Sequence, residues 1–197
     1  GSRTVERASA TAEEINAKLG VAPVPAVAAA TNAEAVAAAD LVLLAIPWNG
    51  HTDLVTDLAD GLDGKIVISC VNPLGFDSAG PFGLMLEESA AEETQRLIPT
   101  ARVVGAFHHV AAMSLWASPE LLSHEDVLVC GEDKDAKAVV MELAAAVTGK
   151  IGVDAGNLRM TRKLEPLTAV LISLNKIYKT RSGIAITGVP AVVAASA

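Results

Sequence analysis

Short apolar runs rich in valine and isoleucine recur along the chain, separated by segments with helical spacing. The runs cover 41–46, 65–71, 102–107, 126–130 and 150–153. Most are continuous rather than alternating, which is typical of strands buried on both faces of a sheet. Because strands and helices alternate, the pattern predicts an α/β fold with a mostly parallel sheet and helices on both faces.

The segments around these runs have the apolar spacing of helices. Helices are predicted over 4–19, 52–62, 84–97 and 136–147. Gly20 is a suitable C-cap for the first of them. The proline- and alanine-rich stretch 21–30 has room for one more strand, and Thr31 or Asn32 is expected to cap a short helix after it.

The end of the chain has a different pattern, with a long helix predicted over 158–179 and no strand after it. Pro166 marks its first turn or a kink. One apolar stripe runs along this helix and must be buried; it comprises Leu164, Leu167, Leu171, Leu174 and Ile177. Packing on the protein's own sheet and packing against a second copy both remain open. We therefore predict a sheet domain over 1–154 and a C-terminal helical element over 155–197.

Composition narrows the class of protein. The 197 residues are 51% hydrophobic and 19% charged, with a net charge of −8 and no basic stripe. A globular domain is expected, without a nucleic-acid partner. The apolar runs fall well short of the roughly 20 residues that span a membrane, and no signal peptide is visible, so we expect a cytoplasmic protein without membrane attachment. Cys70 and Cys130 are expected as free thiols, and the four histidines lack the spacing of metal ligands.

The first residues, Gly1-Ser2-Arg3, precede a helix. In NADP-binding βαβ folds the second strand ends in a small or hydroxyl residue and an arginine, which bind the 2′-phosphate of the cofactor. A planar guanidinium suits that dianion, and Arg7 lies one helical turn further on. Gly-Ser is also a common cloning remnant, in which case Arg3 alone would mean little. The phosphate-binding motif GxGxxG occurs nowhere in the chain, which taken alone counts against a dinucleotide site.

Three predicted strands are followed by residues that are suited to a ligand. The segments are Ile46-Pro47-Trp48, Asn72-Pro73 and His108-His109. The carboxyl ends of parallel strands meet at one edge of the sheet, where cofactors bind. Trp48 is either a flat cofactor contact or a packing residue in a turn. His108 is either a donor of a proton or hydrogen bond to a substrate or a structural histidine. No GxSxG elbow is present, so a hydrolase is poorly supported.

The ordered series of motifs resembles the F420-dependent NADP reductase family over nearly the whole chain. The series is Gly1-Ser2-Arg3, Leu44-Ala45-Ile46-Pro47-Trp48, Lys65-Ile66-Val67-Ile68-Ser69, Val104-Gly105-Ala106-Phe107-His108-His109, Val129-Cys130-Gly131-Glu132-Asp133, Val139-Val140-Met141 and Asp154-Ala155-Gly156. The resemblance implies a Rossmann domain with a C-terminal helical element, which is usually dimeric, so we expect a homodimer. It implies reversible hydride transfer between NADPH and the deazaflavin coenzyme F420, a small-molecule redox substrate.

By position, the resemblance implies roles for individual residues. Ser2, Arg3 and Arg7 match the 2′-phosphate site, and the segment Ile46-Pro47-Trp48 matches the loop of the cofactor cleft. His108 and Val110 match the segment that meets the deazaflavin. We add Asn72 and Pro73 as cofactor contacts and His109 as a substrate contact, and we expect His108 to be catalytic.

The chain departs from the family pattern at two places. The family's first strand, Gly-rich turn, first helix and second strand are absent; these normally occupy roughly 30 residues, so the chain is expected to be part of a longer protein. After His108 the family commonly has a proline, where this chain has Ala111 and Ala112. The acceptor is therefore the deazaflavin or another molecule. The alternatives are an imine or carbonyl reductase using Lys176 or Lys179, and a non-catalytic dinucleotide-binding domain.

Overall fold

The computed structural model describes residues 1–19 and 26–190. The strands are β1 (Leu41–Leu44), β2 (Ile66–Ser69), β3 (Leu74–Asp77), β4 (Gly80–Gly83), β5 (Arg102–Gly105), β6 (Leu128–Gly131) and β7 (Val153–Asp154). The helices are α1 (Val5–Leu19), α2 (Asn32–Ala38), α3 (His51–Asp57), α4 (Ala59–Leu62), α5 (Ala90–Leu97), α6 (Ala112–Ala117), α7 (Lys134–Thr148) and α8 (Thr161–Tyr178). The predicted C-cap Gly20 and the first half of the possible strand, 21–25, lie outside the described residues, and 26–30 form no strand.

Five strands form one sheet in the order β1-β2-β5-β6-β7. The pairs β1–β2, β2–β5 and β6–β7 are parallel, and β5–β6 is antiparallel. The register places Leu41 opposite Ile66 and Ile66 opposite Arg102. The predicted mostly parallel sheet is therefore confirmed, although each strand is shorter than the apolar run that predicted it.

Alternate residues of the central strands point to opposite faces of the sheet. Ile66, Ile68 and Val104 pack with the buried residues of α7. Val67 and Val103 pack on the other face with residues of α3, α4 and α5. The sheet is thus covered by helices on both faces, as predicted, and its middle strands have no solvent-facing side.

Helix starts follow from side-chain caps. Thr31 caps α2, as predicted: its side chain accepts from the main-chain N–H of Glu34, and the Glu34 carboxylate accepts from the main-chain N–H of Thr31. Ser89 and Glu92 form the same reciprocal box at the start of α5. Because this box fixes the start of the helix, the predicted helix 84–97 begins only at Ala90. Residues 84–89 form neither helix nor strand, and an antiparallel hairpin of β3 and β4, which the sequence did not predict, comes directly before them.

Helix α8 packs against that hairpin and against α5. A side chain at Gly83 would collide with Pro166, so glycine permits the close approach of strand and helix. The predicted leucine stripe matches the buried face only in part: Leu171 is buried, Leu164, Leu167 and Leu174 are partly buried, and Ile177 is 69% exposed. The buried residues of α8 are Thr161, Glu165, Ala169 and Leu171. Thr161 and Glu165 are polar and find hydrogen-bond partners at the start of α5, which hydrophobicity alone does not reveal.

Within residues 1–19 and 26–190, no helix combines the length and apolarity that a membrane crossing requires.

Candidate active site

A cleft of about 680 Å³ opens between α1 and the segment that follows β1. One wall carries Ser2, Arg3 and Arg7, and the other carries Ile46 and Pro47. Ligand sites typically measure about 300–1,000 Å³. The structure thus brings together five of the eight residues predicted to bind NADP.

Ser2 lies in a short strand-like segment. It forms a parallel bridge with Thr31: its main-chain N–H donates to Ala30 O at 3.2 Å, and its carbonyl accepts from Asn32 N at 2.8 Å. Helix α1 begins at Val5, three residues later. Strand pairing followed at once by a helix is the arrangement expected at a 2′-phosphate site.

Arg3 and Arg7 are exposed, and neither guanidinium forms an ion pair with any carboxylate in the described part of the chain. They lie at the N-terminal end of α1, where the helix dipole favours an anion. Asp53 and Asp57 line the opposite side of the cleft. Positive charge is therefore concentrated at the α1 wall, and the residues present there fit a phosphate dianion.

The segment after β1 divides between cleft and core. Ile46 and Pro47 line the cleft, whereas the indole of Trp48 stacks on the imidazole of His51, with ring centroids 5.2 Å apart. Trp48 and Ile46 also pack against the buried core. Trp48 has at least the packing role that the sequence left open, and its cofactor contact stays a prediction.

Asn72 and Pro73 follow β2 but do not line the cleft. The Asn72 amide Nδ2 donates to the carbonyl of His108 at 3.1 Å. Pro73 lines a small pocket of about 30 Å³ together with Glu165 and Pro166 of α8. The structure therefore connects both residues to the His108 region, and their role as NADP contacts remains untested.

His108 and His109 lie in a turn, because β5 ends at Gly105 and Phe107 adopts a left-handed φ of 62°. The predicted strand over 102–107 was too long, since apolar residues continue after the ladder ends. Neighbouring residues on a strand would face opposite sides of the sheet, and this expectation does not apply to the two histidines, because they follow the end of β5. Their environments differ for another reason, namely the partners that surround each ring.

The His108 side chain is 5% exposed, and neither ring nitrogen has a hydrogen-bond partner among the described residues. Burial lowers the pKa of His108 to about 3, with a further contribution from His109, and the main chain of Val71, which lies close to the ring, partly opposes this change. Its carbonyl accepts from Asn72 Nδ2 and from Thr168 Oγ1, the latter at 3.1 Å. His108 is therefore a neutral imidazole on a turn whose main chain is fixed from two sides.

His109 is bound to α8. Its Nε2 lies 2.8 Å from the carbonyl oxygen of Leu164. Because a carbonyl only accepts, Nε2 carries the proton in this arrangement. Burial lowers the pKa of His109, and the Leu164 carbonyl partly opposes that change. The ring thus has a structural partner that His108 lacks.

Glu165 is a buried residue that the sequence analysis missed. Its carboxylate accepts from Ala90 N at 2.9 Å and Ala91 N at 3.1 Å, and the residue is 1% exposed. Burial raises the pKa of Glu165 to about 7, against the effect of the two N–H donors. The carboxylate thus caps α5 with a side chain from α8. No local motif signals this contact, since its partners lie about 75 residues upstream.

Metal ligands do not cluster in the described ranges: no three His, Cys, Asp or Glu side chains are grouped as a metal site would require.

Comparison with known proteins gives the family. A family profile described as NADP oxidoreductase, coenzyme F420-dependent, matches residues 1–73. The F420-dependent NADP reductase of Methanocaldococcus jannaschii is 34% identical over 195 residues, which are 95% of this chain and 86% of that protein. The enzyme of the same name from Methanothermobacter thermautotrophicus is 32% identical over 196 residues, covering 96% and 84%.

A solved structure from Arthrobacter sp. FB24, assigned as an F420-dependent NADP-reductase, superposes with a TM-score of 0.76 at 28% identity. The superposition covers 94% of this chain and 87% of that one. The fold and these relatives define the class as a Rossmann-type oxidoreductase. More specifically, the chain belongs to the F420-dependent NADP reductase family. The profile match includes Gly1, Ser2 and Arg3, which argues against a cloning remnant.

Proposed function

We propose that this protein transfers a hydride between NADPH and a deazaflavin of the coenzyme F420 type. The observation that carries the proposal is the grouping of Ser2, Arg3 and Arg7 at the N-terminus of α1, along one wall of a large cleft. This grouping supplies the phosphate recognition that separates NADP from NAD. Relatives at 34% and 32% identity carry NADP and F420 in their names.

In this reaction the nicotinamide supplies a hydride and the deazaflavin accepts it, so the protein's task is to hold and orient the two molecules. Arg3 and Arg7 bind the 2′-phosphate by charge-assisted hydrogen bonds. Ile46 and Pro47 provide an apolar wall. Pro47 has no main-chain N–H, so no donor at that position is left unpaired when the cofactor displaces water. The reaction needs no covalent nucleophile from the chain.

The turn from His108 to Val110 is the proposed contact with the acceptor. A neutral imidazole still carries one N–H, which can donate to an acceptor ring that gains negative charge. The ring nitrogens of His108 have no partner in the described protein, whereas His109 is bound to Leu164 O. We therefore assign the donor role to His108, whose buried ring has to turn outwards to reach the acceptor, and a supporting role to His109.

The proposal is tested by mixing the full-length protein with NADPH and oxidised deazaflavin and following the loss of absorbance of both. Stoichiometric loss is expected. Turnover with an imine or a flavin, but none with the deazaflavin, would refute the assignment of the acceptor. NADPH binding with no acceptor in a broad panel would favour a non-catalytic binding domain. Lys176 and Lys179, the proton donors that the imine-reductase alternative requires, are exposed at the end of α8.

A further inference from the structure

A buried histidine lies directly beneath the segment that forms the cofactor wall. His51 is the first residue of α3 and is 0% exposed. The residues just before it, Asn49 and Gly50, line the cleft. Its side chain is bonded to α5, which lies on the same face of the sheet as α3. The position of the cleft segment is therefore tied to α5 through one side chain.

Both ring nitrogens of His51 are occupied. Nδ1 is 3.0 Å from Glu93 Oε2, and Nε2 is 3.1 Å from Thr94 Oγ1. The other Glu93 oxygen accepts from Thr52 Oγ1 at 2.8 Å. A carboxylate oxygen accepts, so Nδ1 carries a proton. The carboxylate thus fixes both the tautomer and the plane of the ring, as carboxylates do for histidines in working sites.

The second ring nitrogen of His51, Nε2, faces the hydroxyl of Thr94. This hydroxyl is 2.9 Å from Ala90 O and 3.1 Å from His51 Nε2, and it has a single proton to donate. Burial lowers the pKa of His51, although Glu93 opposes this. The Thr94 hydroxyl donates to Ala90 O, so with a neutral ring Nε2 shares that one proton with the carbonyl. Glu93 and Thr94 thus hold the imidazole at its two nitrogens, and the bond to the carboxylate is the stronger of the two.

Two contacts connect His51 to Trp48, which directly follows the cleft residue Pro47. The imidazole stacks on the Trp48 indole with an interplanar angle of 28°. The main-chain N–H of His51 also donates to Trp48 O at 3.0 Å and closes the turn. Pro47, which lines the cleft, precedes Trp48 directly. A change at the ring of His51 therefore displaces the turn that carries Pro47.

We propose that His51 and Glu93 are positioning residues for NADPH, which hold the turn from Pro47 to Trp48 in the geometry that the cofactor requires. This inference rests on the proposed function, since it takes the cleft as the NADPH site. A loosened turn has to be ordered when NADPH binds. Ordering it costs binding energy equivalent to about a tenfold rise in the dissociation constant.

The test uses tryptophan fluorescence in a Trp116→Phe background, because the chain has two tryptophans and Trp48 is then the sole reporter. His51→Phe keeps an aromatic ring against Trp48 but removes both hydrogen bonds, and His51→Asn restores a donor towards Glu93. We expect His51→Phe to shift the emission of Trp48 and to weaken NADPH binding about tenfold. The turnover rate at saturating NADPH should stay within about threefold, and His51→Asn should recover most of the loss.

Lys137→Met is the matched control, since it breaks a half-buried ion pair between Lys137 of α7 and Asp154 of β7, neither of which lines the cleft. It should lower the unfolding temperature and leave both Trp48 emission and NADPH affinity unchanged. If His51→Phe does not fold, Glu93→Gln decides the matter. Exchanging the charged acceptor for a neutral one should weaken NADPH binding about fivefold.

Three results would overturn the inference. Unchanged Trp48 emission in a folded His51→Phe protein would show that the pair does not hold the turn. A shifted emission with unchanged NADPH affinity would show that the turn does not position the cofactor, and the proposed function would stand. A wild-type protein that fails to bind NADPH would refute the proposed function itself, and the inference with it.

Discussion

Replacing Arg3 with alanine separates NADP recognition from general binding. Arg3 lines the cleft and has no ion-pair partner among the described residues, so its loss leaves no buried charge behind. It removes one or two charge-assisted bonds to the 2′-phosphate, each worth about 1.5 kcal/mol at the lower end for an exposed group. The NADPH dissociation constant should therefore rise by about ten- to 150-fold.

The measurement is a pair of titrations, with NADPH and with NADH, for the wild type, Arg3→Ala and Arg102→Ala. Arg102 is equally exposed but lies at the opposite, amino end of β5, so its replacement should change neither constant. NADH affinity of Arg3→Ala should stay within about twofold. Raised salt should narrow the difference between wild type and variant, because exposed charges are screened. Equal weakening of both cofactors would refute the reasoning and make Arg3 a structural residue.

Three further predictions concern α8 and the turn that it holds. His108→Ala should lower the turnover rate or the deazaflavin affinity by about 10²-fold with NADPH binding unchanged, and His109→Ala should do less; steady-state kinetics would contradict this if His109 were the sensitive residue. Burial holds the pKa of His108 near 3 against an ordinary 6.5, so the stability it contributes is present above pH 6.5 and lost as the pH falls towards 3. Urea unfolding at pH 6.5 and 4.5 should show the wild type losing about 2 kcal/mol more than His108→Asn, and equal losses would contradict the assignment of a buried neutral ring. Glu165→Gln leaves one of two buried N–H groups without an acceptor and should cost about 1–3 kcal/mol in thermal unfolding, whereas the exposed control Glu142→Gln should cost less than about 0.5 kcal/mol.

The layered sheet could be predicted because apolar periodicity reports burial on both faces. The ends of the strands could not be predicted, because buried apolar residues continue past the last paired residue of a strand. Ala106 and Phe107, for example, follow β5 and are still packed in the core. The hairpin of β3 and β4 was not predicted because glycine and proline, here Gly75, Pro81 and Gly83, are uncommon within strands. Its turn could have been predicted from Asp77, which accepts from the main-chain N–H groups of Ala79 and Gly80.

The residues of the candidate site also differ in whether the sequence could predict them. Ser2, Arg3 and Arg7 could be found from sequence because their motif is local, one strand end and one helical turn. Glu165 and His51 could not, because each meets its partners across more than 40 residues of chain. Glu165 lies off the apolar stripe predicted for its helix, and His51 precedes the predicted helix 52–62, so only tertiary contacts reveal their partners.

The cap that Glu165 places on α5 occupies a position where a dissolved anion would otherwise bind. The main-chain N–H groups of Ala90 and Ala91 at that helix start already donate to the Glu165 carboxylate. The start of α1, in contrast, is flanked by the exposed Arg3 and Arg7. With α1 as the 2′-phosphate site proposed above, inorganic phosphate or sulfate in a buffer should compete with NADPH there and leave the junction of α5 and α8 intact. Buffer composition should then change the apparent affinity for the cofactor without changing the architecture that surrounds it.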